Sequence, residues 1–209
     1  MAIVQNTLIG RANGRVGNAV FTTWKGRNIL KQKPEIVANP RTSGQVAQRG
    51  KFIMALAFGK LLRPILQMGF REYAGTVSWL NRFMSVNLNN EFLTFATDKW
   101  EPDFTQIVIS EGSLYPTVIT LDSQDDTGVV IEWPTSPINN QTAEDAFFAV
   151  AIGATAQTFD LGTVTRSAGT QSIGIASTVG DTVYVACFFM NTDTLKVSNS
   201  MVLSVEITA

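Results

Sequence analysis

The chain has 209 residues, 45% of them apolar and only 16% Asp, Glu, Lys or Arg, which is enough apolar material for a real core and excludes disorder as the main state. It has no histidine and one cysteine, Cys187, so intrachain disulfides, CxxC redox chemistry, cysteine-rich zinc sites and Ser–His or Cys–His nucleophile pairs are excluded. The near-neutral total conceals halves of opposite sign: residues 1–100 carry 14 basic and 4 acidic side chains, residues 101–209 carry 2 and 13. A basic part of this kind is expected to meet nucleic acid, an acidic surface, or the acidic part of a neighbouring copy.

Met1 to Gly10 lacks the basic, apolar and small-residue regions of a secretory signal, so export by that route is not expected. With Cys187 reduced or buried, the chain fits the cytoplasm or a particle assembled there. Residues 12–33 read as a hairpin: Val16, Ala19, Val20, Phe21 and Trp24 form an apolar run, Lys25-Gly26 offers the turn, and Asn28 to Lys33 leads out. Glycines 10, 14 and 17 have neither Rossmann nor Walker spacing and no Gly-Lys-Ser/Thr follows, so no nucleotide cofactor is expected.

Asn39-Pro40-Arg41-Thr42 then reads as a turn feeding a helix, with Thr42 or Ser43 as the cap. Val46, Phe52, Leu56, Phe58, Leu61, Ile65 and Met68 recur at helical steps and are expected to form a buried stripe, with Pro64 kinking or dividing the helix. Phe52 to Phe70 is mostly apolar, but Lys60, Arg63 and Pro64 interrupt it, which argues for a core helix and against a membrane span. A second helix is expected over Gly75 to Asn89, burying Val77, Leu80, Phe83, Met84 and Leu88. Arg41, Arg49, Lys51, Lys60, Arg63, Arg71 and Arg82 are spread along these helices. They suit a solvated face, or nucleic acid with Trp24, Tyr73 or Trp79 as stacking groups.

After Trp100-Glu101-Pro102 the composition turns to Thr, Val, Ile, Ser and Ala. Strands are expected at Thr105–Ser110, Thr117–Leu121, Gly128–Trp133, Ala146–Ile152, Gln157–Thr165, Gln171–Ser177, Thr182–Asn191 and Met201–Ile207. Trp133 and Tyr184 resemble the buried Trp and tyrosine corner of immunoglobulin-like and fibronectin type III-like modules, with a jelly roll as the other possibility. The expected fold is therefore α+β: a basic hairpin-plus-helical domain, residues 1–100, followed by an acidic immunoglobulin/fibronectin type III-like sandwich, residues 101–209.

Paired carboxylates are the catalytic class that composition leaves open, and Asp125-Asp126 and Glu144-Asp145 are the candidates. Both pairs read as exposed turns, without the Asp/Asn spacing and distal Glu of a calcium loop. No catalytic, metal or cofactor residue is therefore assigned, and the chain is not expected to be an enzyme.

Val16-Gly17-Asn18, Trp24-Lys25-Gly26, and Asn39-Pro40-Arg41-Thr42 with Gln45, Arg49 and Phe52 together resemble a domain-of-unknown-function family. Its members are of similar length and come from Bacteroidota and their phages. The resemblance spans residues 8 to about 90; Gly44 departs from the proline or alanine expected before Gln45. It implies an origin and an architecture, and it makes Trp24, Lys25, Asn39, Pro40, Arg41, Thr42, Gln45 and Arg49 the candidate interaction residues. Resemblance and charge pattern lead to the expectation of a non-enzymatic assembly protein, a phage virion component in the neck, ring, tail or capsid decoration. Its expected partners are further copies of itself and other virion proteins. A nucleic-acid-binding protein acting through residues 1–100 is the alternative, and a glycan-binding adhesin using Trp133 or Tyr115 as a platform is the second alternative.

Overall fold

The computed structural model describes residues 2–4, 13–36, 39, 41–96, 99–125, 127–154 and 156–208; the expectations at Gly10, Pro40 and Asp126 fall outside them. Two compact units are present, Met1–Gln45 and Val46–Ala209.

In the first unit β1 (Ala2–Val4), β2 (Gly14–Val16), β3 (Ala19–Trp24) and β4 (Arg27–Gln32) form one antiparallel sheet in the order β1-β4-β3-β2. Valine, phenylalanine and threonine through β3 suit a pleated, half-buried surface. Lys25 and Gly26 join β3 to β4 with φ of 48° and 77°. Positive φ at both positions is the type I′ geometry, whose twist matches that of the flanking strands. Ile29 is the one buried hydrophobic residue among the described residues of this unit.

The long helix α1 (Ser43–Leu61) starts at the end of this unit and runs into the next. Its cap is Thr42, whose Oγ1 accepts from Gln45 N at 3.4 Å. After Leu62 the chain turns by 88° into α2 (Arg63–Gly69). Pro64 sits in the first turn of α2, where its missing N–H costs nothing, and it could not have continued α1. Helix α3 (Trp79–Asn89) begins later than its apolar pattern suggests. Ser78 is the cap, accepting from Asn81 N at 3.3 Å, and a side chain that satisfies a first-turn amide sets the boundary there. Among the described residues no single helix is long and apolar enough to cross a membrane.

A small antiparallel pair follows, β5 (Leu93–Ala96) and β6 (Lys99–Pro102). The expected strand at Thr105–Ser110 is instead a 3-10 turn over Phe104–Gln106 and an extended segment without a ladder. Side chains hold that segment: Asn87 Nδ2 donates to Val108 O at 2.8 Å while its Oδ1 accepts from Val108 N at 2.9 Å. A carboxamide bonding both backbone groups of one residue does the work of a neighbouring strand. Ser200 Oγ accepts from Ile109 N at 3.2 Å, and Ser110 Oγ donates to Ser198 O at 2.8 Å.

The remaining strands are β7 (Thr120–Asp125), β8 (Gly128–Glu132), β9 (Ala146–Ile152), β10 (Gln157–Thr165), β11 (Thr170–Gly174), β12 (Thr182–Met190) and β13 (Met201–Glu206). They form two antiparallel sheets, β10-β9-β12-β13 and β11-β8-β7. Strands β9 and β12 are apolar without alternation because both of their faces are covered. Phe147, Ala149 and Ala151, with Val183, Val185, Cys187 and Phe189, pack against Val129, Ile131 and Ile173 of the other sheet. The alternate residues Ala146, Phe148, Val150, Ala186, Phe188 and Met190 pack against Leu62, Ile65, Leu66, Phe70 and Phe83 of the helices.

The second unit thus has three layers: helices, a four-stranded sheet, and a three-stranded sheet, an α+β fold containing a β-sandwich. The boundary expected at residue 100 falls inside this unit. The change at Trp100–Pro102 is one of charge and element type, and the core passes straight across it. Tyr184 lies on the helix-facing side of β12, its ring 5.5 Å from that of Phe104.

Candidate interaction surfaces

The residues singled out from sequence gather in two places. Trp24 ends β3 and Lys25 begins the turn to β4, with Lys25 Nζ 4.9 Å from the Trp24 ring centre. Asn39, Arg41 and Thr42 lead into α1 and Gln45 lies in its first turn, where its N–H donates to the Thr42 cap; Arg49 lies one turn further on, in the second unit. Trp24 is 59% exposed, so its ring is a surface feature and not core.

The helix layer departs from the expected stripe in an informative way. Phe52 is 52% exposed and Ile53 68%, whereas the fully buried face of α1 is made by Ala55 and Gly59. A Cβ on Gly59 would lie 2.6 Å from a Leu80 methyl and 3.2 Å from the Phe83 ring, so small residues let α3 come close, and the large ones are left outside. Phe52, Leu56, Leu80, Met84 and Leu88 line the resulting groove of about 290 Å³. Val46 and Leu61 extend the exposed apolar surface along α1, and Arg49, Lys60 and Arg63 around it are exposed as well.

A polar cleft of about 530 Å³ opens elsewhere in the same unit, lined by Arg82, Ser85, Asn89, Asn90, Asn199 and Ser200 among others. Its charge is internally neutralised. Arg82 Nε donates to Glu111 Oε2 at 2.9 Å, Tyr73 OH donates to Glu111 Oε1 at 3.0 Å, and the Arg82 guanidinium sits 4.4 Å from the Tyr73 ring. The Arg82 hydrogen bond holds the Glu111 carboxyl below the usual glutamate range, while burial and then Glu111 itself push the Tyr73 hydroxyl up. A carboxylate with a depressed folded pKa contributes stability above its ordinary pKa of about 4.3, and that contribution is lost as pH falls through the folded value. Unfolding by urea across a pH series should therefore show stability dropping below about pH 4.3, and Arg82→Gln should flatten that acid limb.

The carboxylate pairs have different fates. Asp125 is exposed and closes the β7–β8 turn, accepting from Thr127 N at 2.9 Å, Thr127 Oγ1 at 2.6 Å and Gly128 N at 2.8 Å, bonds that hold its pKa down. Glu144 is exposed, but Asp145 is not the exposed turn residue expected: its side chain and that of Arg166 are both 0% exposed. Asp145 accepts from Thr142 N at 2.9 Å, Thr142 Oγ1 at 2.6 Å, Asn191 Nδ2 at 3.0 Å and Arg166 Nε at 3.4 Å. Arg166 Nη1 donates to Thr117 Oγ1 at 2.7 Å, and the guanidinium lies 4.2 Å from the Phe189 ring. Burial pulls the Arg166 pKa down and Asp145 opposes it.

Sequence reasoning missed this buried pair. The signal available was Arg166 as one of two basic residues in a strongly acidic half. Trp133, expected as a glycan platform or sandwich tryptophan, is 5% exposed, stacked on Phe147 at 4.5 Å and donating from Nε1 to Arg166 O at 2.9 Å. It is not available for stacking on a glycan; Tyr115, the other platform, is 45% exposed. Burial raises the pKa of Cys187 between the sheets, which keeps it a thiol. Among the described residues, no three Asp, Glu or Cys side chains gather as a metal site.

Residues 11–204 match the model of a family described as a family of unknown function, DUF6266. No curated protein matches the chain. A solved structure titled "Myokine structure" is similar at 10% identity over 46% of this chain and 98% of that one, with a TM-score of 0.35, too slight a likeness to assign a fold.

Proposed function

We propose that this chain, which belongs to the family of unknown function DUF6266, is a non-enzymatic structural protein of a phage particle, in the neck, ring, tail or capsid decoration. It is assembled in the bacterial cytoplasm from copies of itself and other virion proteins. The observation that carries this reading is the polarity of the second unit. Its helix layer exposes Phe52, Ile53 and Leu61 beside Lys60 and Arg63, and its outer sheet, two layers away, exposes Asp122, Asp125 and Glu132.

An apolar basic face on one side and an acidic face on the other invite head-to-tail stacking. Such contacts are heterologous, so they close into a ring or propagate as a filament depending on the rotation between copies. Apolar burial supplies the affinity, and charge sets approach and register. The strand order supports the finer reading of the sandwich. Taken in chain order as A, B, C, C′, E, F and G, strands β7 to β13 pair as A-B-E and G-F-C-C′, the arrangement of a fibronectin type III-like module, with Trp133 between the sheets.

Solution mass by light scattering tests the reading. The wild-type chain should form a defined multimer that loosens as salt screens the charges. Ile53→Asp, and separately Lys60→Glu with Arg63→Glu, should give folded monomers. A wild-type monomer at both low and high salt would overturn self-assembly.

A further inference from the structure

The four-stranded sheet of the first unit sorts its charges by face. Cross-strand partners point to the same side of a sheet, and so do residues two apart on one strand. Arg15 is opposite Val20, Val20 is opposite Lys31, Thr22 is opposite Ile29, and Trp24 is opposite Arg27. One face therefore carries Arg15, Lys31, Arg27 and Trp24 around Val20, Thr22 and the buried Ile29, and the Lys25 ammonium at the turn lies 4.9 Å from the centre of the exposed Trp24 ring. The other face of β3 and β4 carries Ala19, Phe21, Thr23, Asn28, Leu30 and Gln32, none of them charged.

All four residues of the charged row are exposed, Trp24 by 59%. Arg15 donates from Nε to Gly17 O at 2.8 Å, which steadies its stem and uses one of five guanidinium donors. Arg27 and Lys31 are about 13 Å apart along β4, and Arg15 and Lys31 about 10 Å apart across two strand spacings. Glu35 is the single acidic residue among 1–45, against seven basic ones.

We infer that this face binds single-stranded nucleic acid, with a base stacked on Trp24 and the phosphodiester chain following Lys25, Arg27, Lys31 and Arg15. Cations in a row account for attraction to any polyanion; the exposed ring among them favours a ligand that alternates charge with flat, stackable surface, which nucleic acid does and a carboxylate-rich protein face does not. Backbone phosphates and base faces are common to DNA and RNA, so the chemistry names single strands of either kind. The inference is independent of the assembly reading, which uses the second unit.

Binding of fluorescein-labelled oligo(dT) and oligo(rU) to the full chain, followed by anisotropy, tests it. Three or four phosphate contacts should weaken binding about 20- to 50-fold between about 50 and about 200 mM salt. Trp24→Ala should weaken it about tenfold while Trp24→Phe keeps most of it, and Arg15→Glu with Arg27→Glu and Lys31→Glu should abolish it. Circular dichroism checks that the variants fold. Preference for one oligonucleotide would tell DNA from RNA. Equal binding of labelled polyglutamate, or unchanged binding by Trp24→Ala, would overturn the proposal and leave a face that reads negative charge alone. Absence of oligonucleotide binding would overturn it too. Light scattering on the same samples keeps the two ideas separate, because Trp24→Ala should leave the multimer mass unchanged.

Discussion

Replacing Asp145 with alanine is expected to lower the unfolding free energy by about 3–5 kcal/mol, the range for removing one partner of a buried ion pair. The cost arises less from losing the attraction than from what stays behind. The Arg166 guanidinium would remain 0% exposed with Thr117 and the Phe189 ring as neighbours and no counter-charge. Thr142 and Asn191 would lose their acceptor at the same time. Arg166→Met should cost less, since Asp145 keeps its three bonds from Thr142 and Asn191, and the double variant should fall well short of the sum. Urea denaturation reads all three as shifts of the midpoint at constant slope. A loss below about 1 kcal/mol for Asp145→Ala would mean that Arg166 reaches water when the carboxylate is gone.

Phe188→Ala and Phe189→Ala should each cost about 3–5 kcal/mol, and by similar amounts. The two residues are neighbours in sequence and point to opposite sides of β12. Phe188 stacks on Phe148 at 5.2 Å and 4° in the helix-side core, while Phe189 meets Trp133 at 5.4 Å and Phe147 at 5.3 Å between the sheets. Both are 1% exposed. If the helices formed a separate domain merely resting on the sandwich, Phe188→Ala would be the milder change by several kcal/mol. Equal losses, with a single unfolding transition in each case, would show that the two cores stand or fall together.

The elements legible in the sequence are those whose signal is local. Strands β9 and β10 occupy the ranges their apolar runs and flanking glycine suggest, and Pro64 divides the helix where its chemistry requires. What stayed hidden depends on partners distant in the chain. Residues 107–110 have the composition of a strand, but Asn87, Ser198 and Ser200 take their hydrogen bonds. Phe52 has the spacing of a core residue but is left half exposed at the rim of the groove, while α3 packs close over Gly59, where there is no side chain in the way. Asp145 looks like turn material until Arg166, 21 residues later, is brought beneath it. Of the candidate interaction residues, Trp24 and Lys25 were marked by a motif, but only the pairing of β2, β3 and β4 sets Arg27 opposite Trp24 and puts Arg15 and Lys31 further along the same face.

Strands β9 and β12 are a party wall, built once and used by the rooms on either side. Neither the helices nor the outer sheet could be transplanted without taking that wall along, so the smallest portable piece of the second unit is the whole of it. Insertions and gene fusions would therefore be tolerated at its surface turns and rejected at the junction near residue 100, where the change in composition makes a cut look safest.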